Sequence, residues 1–191
     1  MLFIMSDLHT FLGSIYPLSA ELSDRLYSIT TERSFSPRFM FVRAGQLSQH
    51  LCFVRQGLLR RSYTKGEKEI SAGFIKEGEL CFPIELIFHQ PYGMETIQTL
   101  EHTRAQVIPY QQWVAVYKDF SAFRTIGLLL MEKYIQTQYL HYRGLWMQPA
   151  KERYRWLHDN LPELAKRAQG KDLGSLLGMT NVTYSRLGKV I

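Results

Sequence analysis

Gly170-Lys-Asp-Leu-Gly-Ser-Leu-Leu-Gly-Met-Thr-Asn-Val-Thr-Tyr-Ser-Arg-Leu-Gly-Lys-Val-Ile191 are the last 22 residues of the sequence. Their spacing predicts two short helices joined by a tight turn. Leu173 and Leu177 stand one turn apart on the first helix. Gly174, which has no side chain, lets the second helix cross close over the first. Gly178 falls where the chain must turn, a position that favours positive φ and therefore glycine. Met179 tucks under the turn, Thr180 caps the second helix with its hydroxyl, and Tyr184 and Leu187 face back onto the first. A small residue, a turn glycine four positions later and apolar residues at these offsets describe a helix-turn-helix. An αα-corner packed inside a core would share the apolar spacing. The outward face of the second helix would present Asn181, Val182, Ser185, Arg186 and Lys189. Asparagine and arginine bond bidentately to adenine and guanine edges, whereas Thr180, Thr183 and Lys189 suit phosphates, which position a helix without reading sequence.

The charge pattern points the same way. The chain has 191 residues, 23 Lys and Arg against 17 Asp and Glu, and a net charge of +6. Eight basic residues (Lys151, Arg153, Arg155, Lys166, Arg167, Lys171, Arg186, Lys189) stand against four acids in the last 41 residues, so +4 of the total is concentrated there. A basic terminus is the pattern expected where a chain meets phosphates; without the motif it would read as a solvated helical face. Composition is that of a globular chain with a real core: 46% hydrophobic, 13% aromatic and 21% charged. Two cysteines, Cys52 and Cys81, exclude a disulfide-stapled scaffold and leave two free thiols. Met1–Met5 is apolar but is followed at once by Asp7 and His9, which is not the build of a secretory signal. No run approaches a membrane-spanning length, so a soluble cytoplasmic protein is expected.

Upstream, Pro17-Leu-Ser-Ala-Glu-Leu predicts a helix capped by Ser19, with Leu22 and Leu26 on one face. From Thr31 to Pro109 short apolar runs (Phe39–Val42, Leu51–Val54, Leu58–Tyr63, Ile70–Ile75, Thr96–Leu100, Ala105–Ile108) alternate with glycine and proline turns. That rhythm predicts a β-sandwich or barrel, with Lys65-Gly66 at a hairpin tip. Ser121 then opens a helix to about Leu145, about 37 Å long at 1.5 Å per residue. Leu128, Met131, Ile135, Gln138, Tyr142 and Leu145 form a seam along it in alternating steps of three and four. The opposite stripe (Ile126, Leu129, Tyr134, Leu140) is also apolar. Two stripes need two partners, one of them most simply the same helix of a second subunit; burial of the helix within one domain is the alternative. Pro149 ends it. Ala150–Asn160 predicts a further helix with Tyr154, Leu157 and Trp156 inward, and Leu164 lies in a short piece after Leu161-Pro162. The expected segments are residues 1–120, 121–148 and 149–191.

With this order on the page, the chain resembles the Crp/Fnr (catabolite activator protein-like) superfamily of bacterial transcription regulators. The resemblance covers nearly the whole chain. It rests on Pro17-Leu-Ser, Leu51-Cys-Phe-Val-Arg-Gln-Gly-Leu-Leu-Arg, Gly66-Glu-Lys-Glu, Glu77-Gly-Glu-Leu, Ala150-Lys-Glu-Arg-Tyr and Leu177-Gly-Met-Thr-Asn-Val-Thr-Tyr-Ser-Arg. It implies an α+β chain: an N-terminal double-stranded β-helix (a jelly roll like cyclic-nucleotide-binding domains), a long dimerisation helix and a C-terminal helix-turn-helix. It implies as partners duplex DNA, a second copy and RNA polymerase, and no membrane. An effector, if the barrel takes one, would meet Glu79, Phe82, Glu85, Met94 and Thr96.

The departures from the family pattern shape these expectations. Gly93-Met94 stands where cyclic-nucleotide binders carry an Arg-Ser/Thr pair for the cyclic phosphate, and Pro83 where they carry Glu; Glu95 would repel a phosphate. Cyclic AMP is therefore not expected, and no cofactor is. Two cysteines cannot supply four ligands to an iron–sulfur cluster, and His89 and His102 read as surface residues rather than haem ligands. Val182 replaces the base-reading Glu of many relatives. The β-wing that follows in many relatives is not expected after Ile191. Two other readings compete. One is a degenerate sensor that works through protein contacts without DNA. The other is a cupin-type enzyme, for which the six scattered histidines lack ligand spacing. No nucleophile elbow, Walker loop or dinucleotide-binding glycine pattern appears, so no enzyme is expected and no catalytic or metal-binding residue is assigned.

Overall fold

The computed structural model describes residues 7–47, 49–83 and 92–190. The chain is α+β; among the described residues there are eight strands in two four-stranded sheets, with helices before and after them. Asp7 caps α1 (Leu8–Ile15), its carboxylate accepting from the Thr10 amide at 2.8 Å. Ser19 caps α2 (Ala20–Ile29) in the same way, as its sequence predicts. The strands are β1 (Thr31–Phe35), β2 (Met40–Val42), β3 (His50–Gln56), β4 (Leu59–Lys65), β5 (Lys68–Ile75), β6 (Leu80–Cys81), β7 (Glu95–Thr99) and β8 (Thr103–Pro109). One sheet runs β1-β8-β3-β6 and the other β2-β7-β4-β5. The predicted hairpin tip falls between β4 and β5, with Gly66 at φ 61°.

The centre of the first sheet is buried on both faces, as β3 shows, while β1 at its edge is largely exposed. Leu51, Cys52, Phe53 and Val54 are all fully buried. Because strand side chains alternate, Leu51 and Phe53 join a helical core with Leu8, Leu12, Leu22, Leu26, Trp113 and Phe123. Cys52 and Val54 join a second core between the sheets with Leu59, Ile97 and Val107. Cys52 lies directly opposite Cys81 across β3 and β6. Burial and the neighbouring Cys81 push the Cys52 thiol up, which keeps it protonated and unreactive.

Among the described residues six further helices follow β8. α3 (Tyr110–Asp119) buries Trp113 and Val116; its existence, like that of α1, is not anticipated by the sequence reading. α4 runs from Ser121 to Met147, 27 residues and about 40 Å. Ser121 is itself its first helical residue rather than its cap. α5 (Ala150–Asn160), α6 (Pro162–Arg167), α7 (Gly170–Leu176) and α8 (Asn181–Val190) follow. Trp156, expected to point inward, is exposed; Tyr154 and Leu157 alone carry the buried face of α5. The chain divides into two compact units, Met1–Arg61 with Phe74–Glu132, and Ser62–Gly73 with Lys133–Ile191. One boundary between these units falls inside α4, between Glu132 and Lys133.

Candidate functional site

α7 and α8 are joined by Leu177–Thr180, with Gly178 at φ 64° making the turn. Leu173, Leu177 and Tyr184 are all buried, as the spacing predicts. A Cβ on Gly174 would stand 3.1 Å from the Tyr184 Cβ and 3.5 Å from the Met179 and Thr180 carbonyl oxygens. The two helices therefore touch backbone to side chain here. Thr180 caps α8: its Oγ1 accepts from the Thr183 amide at 3.1 Å, and the two hydroxyls lie 2.9 Å apart. Gly174→Val is expected to force α7 and α8 apart at a cost of about 1–3 kcal/mol, measurable as a lower urea midpoint.

This seating fixes what α8 presents. Asn181, Val182, Ser185, Arg186 and Lys189 are exposed, and all fall within roughly 140° of arc at ~100° per residue. α8 contains no acidic residue. Thr180 is exposed at the start of this surface and Thr183 is half-buried at its edge. Every DNA-contact residue predicted from sequence is thus brought to one side of α8 or its cap. Val182, 66% exposed, places an apolar side chain in the middle of it.

Behind α8 lies an aromatic support. His158 and the Tyr184 hydroxyl are 3.0 Å apart, Tyr154 stacks on His158 at 4.3 Å, and Tyr154 and Tyr184 ring centroids lie 5.0 Å apart. Burial and Tyr154 push the Tyr184 phenol up to about 12, so it stays neutral. Arg153, counted above among the basic residues of the terminus, turns inward. Its guanidinium donates to the carbonyl of Leu177 at 2.8 Å and to those of Leu145 and Gln148. Lys166 is held by Glu163 at 2.7 Å. The free positive charge on α8 itself is therefore Arg186 and Lys189.

The lower part of α4 carries the second candidate surface. Leu128 is 68%, Ile135 58% and Tyr142 48% exposed, while Met131, Gln138 and Leu145 of the same seam are half-covered. Of the opposite stripe, Ile126 is buried in the helical core and Leu140 is exposed. Between Tyr134 and Met147 the only formally charged side chain is Arg143.

No protein-family model matches the sequence, and none of the curated proteins matches it. Solved structures do. The c-di-GMP responsive global regulator CLP of Xanthomonas campestris is similar at 18% identity and a TM-score of 0.70, over 90% of this chain and 91% of that one. The Thermus thermophilus catabolite activator protein is similar at 19% identity and a TM-score of 0.58, over 94% and 85%. A Eubacterium rectale protein of the Crp/Fnr family reaches a TM-score of 0.72 at 15% identity, over 91% and 83%. The fold is that of the Crp/Fnr regulators. These neighbours are transcription regulators rather than enzymes.

Within this Crp/Fnr fold the expected effector residues do not converge. Phe82 packs on the helical side of the first sheet, against Tyr110 and Trp113. Glu79 accepts from the Lys76 amide and closes a turn. Met94 is exposed. The Thr96 hydroxyl accepts from the Ala44 amide, on the face of β7 opposite Glu95. Glu85 lies outside the described residues. The residues that do enter the space between the sheets are ones the sequence reading did not pair. Glu95 shares its face of β7 with Ile97, and Arg61 shares its face of β4 with Leu59. The fully buried Glu95 carboxylate accepts from Arg61 Nε at 2.7 Å and sits 2.6 Å from its Nη2. Glu95, expected to repel a phosphate, is thus half of a buried ion pair. Among the described residues no helix is long and apolar enough to cross a membrane, and no group of three or more His, Cys, Asp or Glu could hold a metal ion.

Proposed function

We propose that the chain is a homodimeric cytoplasmic transcription regulator that binds duplex DNA through α7 and α8 acting as a helix-turn-helix, with its two sheets forming a jelly-roll sensor. The observation that carries this reading is the outward face of α8: Asn181, Ser185, Arg186 and Lys189 exposed together, without an acid, on a helix whose opposite side is locked onto α7. Such a face suits the major groove, with Asn181 and Arg186 at base edges and Thr180, Thr183 and Lys189 at phosphates. Val182 would meet a base edge by apolar contact, so the operator differs from one read by a glutamate. The exposed, nearly uncharged seam of α4 supports the dimer, because a monomer would leave a contiguous apolar face in water. The Arg61–Glu95 pair supports the reading that the sensor takes no cyclic phosphate, since its guanidinium is already neutralised.

The test is a fluorescence titration of the purified chain against a genomic duplex library at several salt concentrations. Salt-sensitive binding to selected duplexes is expected. Arg186→Ala should weaken selected duplexes by about 1–3 kcal/mol, roughly ten- to a hundred-fold, without lowering the thermal midpoint. Absence of salt-sensitive binding to any duplex would overturn the reading and favour a sensor that acts through protein contacts.

A further inference from the structure

A cleft of about 370 Å³ opens between α2, β1, β3, the end of β8 and α3, with Ile29 at the edge of the helical core forming part of its wall. Its walls carry Arg25 from α2, Arg33 from β1, His50 from β3 and Gln112 from α3; Ile29 and Pro109 supply an apolar part. Among the described residues no aspartate or glutamate lines it. Among the described residues no carboxylate pairs with Arg25, Arg33 or His50.

Three other arginines of the same unit do have carboxylate partners. Glu32, one residue before Arg33 and so on the other face of β1, pairs with Arg55 and with Arg104. Arg61 has Glu95. Arg25 is instead braced by a neutral group, donating from Nη2 to the Gln112 Oε1 at 2.9 Å, which orients the guanidinium without neutralising it. Burial, and after it the charge of Arg33, hold His50 below the ordinary imidazole range. Two guanidiniums on one cleft, one of them oriented by Gln112 and neither with a carboxylate partner among the described residues, form a site for an anion. The planar fork of arginine suits phosphate oxygens, and a phosphate monoester carries close to two negative charges at neutral pH, matching two arginines where a carboxylate would match one. The volume lies in the range of small-molecule pockets, and a bare phosphate would leave the Ile29 and Pro109 wall uncovered.

We propose that this cleft binds a phosphate-bearing small molecule, its phosphate held by Arg25 and Arg33 and its organic part lying against Ile29 and Pro109. The site is separate from α8, and its test involves no DNA. Isothermal titration of the full chain at low ionic strength would use three probes: inorganic phosphate, glucose 6-phosphate and glucose. Glucose 6-phosphate should bind and glucose should not. Binding of the ester tighter than inorganic phosphate is expected from the apolar wall; equal or weaker binding would overturn the assignment of that wall to an organic part. Arg33→Gln, at an exposed position that does not endanger folding, should weaken binding at least about ten-fold, the worth of one charge-assisted hydrogen bond. Arg25→Gln should do the same. Arg55→Gln, which removes an arginine already paired with Glu32, should leave binding unchanged. Failure of both phosphates to bind would overturn the proposal, as would equal losses in Arg33→Gln and Arg55→Gln.

Discussion

Arg61→Met is expected to destabilise the chain by about 3–5 kcal/mol, the cost of leaving one partner of a buried ion pair without the other. Glu95 is fully buried between the sheets, and the Arg61 side chain is only 13% exposed. Without the guanidinium, the buried carboxylate must either stay charged with its ion-pair partner removed or take up a proton, and each route costs folding free energy. Urea denaturation followed by circular dichroism reads the effect as a lower midpoint. The double variant Arg61→Met/Glu95→Leu separates this cause from simple loss of packing. Exchanging a whole buried pair for apolar side chains of similar size is often neutral or stabilising, so the double variant should recover most of the loss and give a large coupling energy in the cycle. A single variant that costs less than about 1 kcal/mol, or a double variant less stable than the single, would show that the pair does not act as a unit.

Gly57→Ala is expected to be nearly as damaging, at about 2–5 kcal/mol from backbone strain and overlap combined. Gly57 sits at φ 115°, where side chains are disfavoured. A Cβ there would stand 2.5 Å from the Thr103 Oγ1 and 2.8 Å from the Thr103 Cα. The side-chain oxygen could rotate away, but the Cα belongs to β8, which is paired to β1 at Phe35. Relief therefore requires moving a strand. Gly66→Ala is the matched control, since Gly66 also has positive φ but nothing lies within 4 Å of its added Cβ. It should show the strain contribution alone. Equal midpoints for the two alanine variants would mean that β8 yields without cost.

Much of this architecture is legible in the residues because its signals are local. Ser19, the strand rhythm from Thr31 to Pro109, Lys65-Gly66 and the Gly174–Gly178–Thr180 spacing each act within a few positions. The structure puts each where that spacing predicts. α1 had a signal too: Asp7 precedes Leu8, Phe11, Leu12 and Ile15, a capped helical period. It was masked by the apolar Met1–Met5 that precedes it. α3 begins after Pro109 with no side-chain cap, so nothing announces its start. The misplacements are long-range. Arg61 and Glu95 meet only because β7 lies beside β4, an order no local motif encodes. Thr96 was expected in the effector set, yet one step along a strand reverses the face, and Glu95 points inward instead. Arg153 looked like one more basic residue because its three carbonyl acceptors lie on other segments.

Arg153 has a wider consequence. Pro149 makes the most conspicuous break in the helical half of the chain, and in most proteins such a break is a joint. Here one planar cation straddles it, gripping carbonyls from the end of α4 and from the end of α7 at once. The fracture is splinted. A twist applied to the final turn of α4 is therefore carried to the α7–α8 pair without slack, and a lysine, lacking the fork, could not serve as the splint.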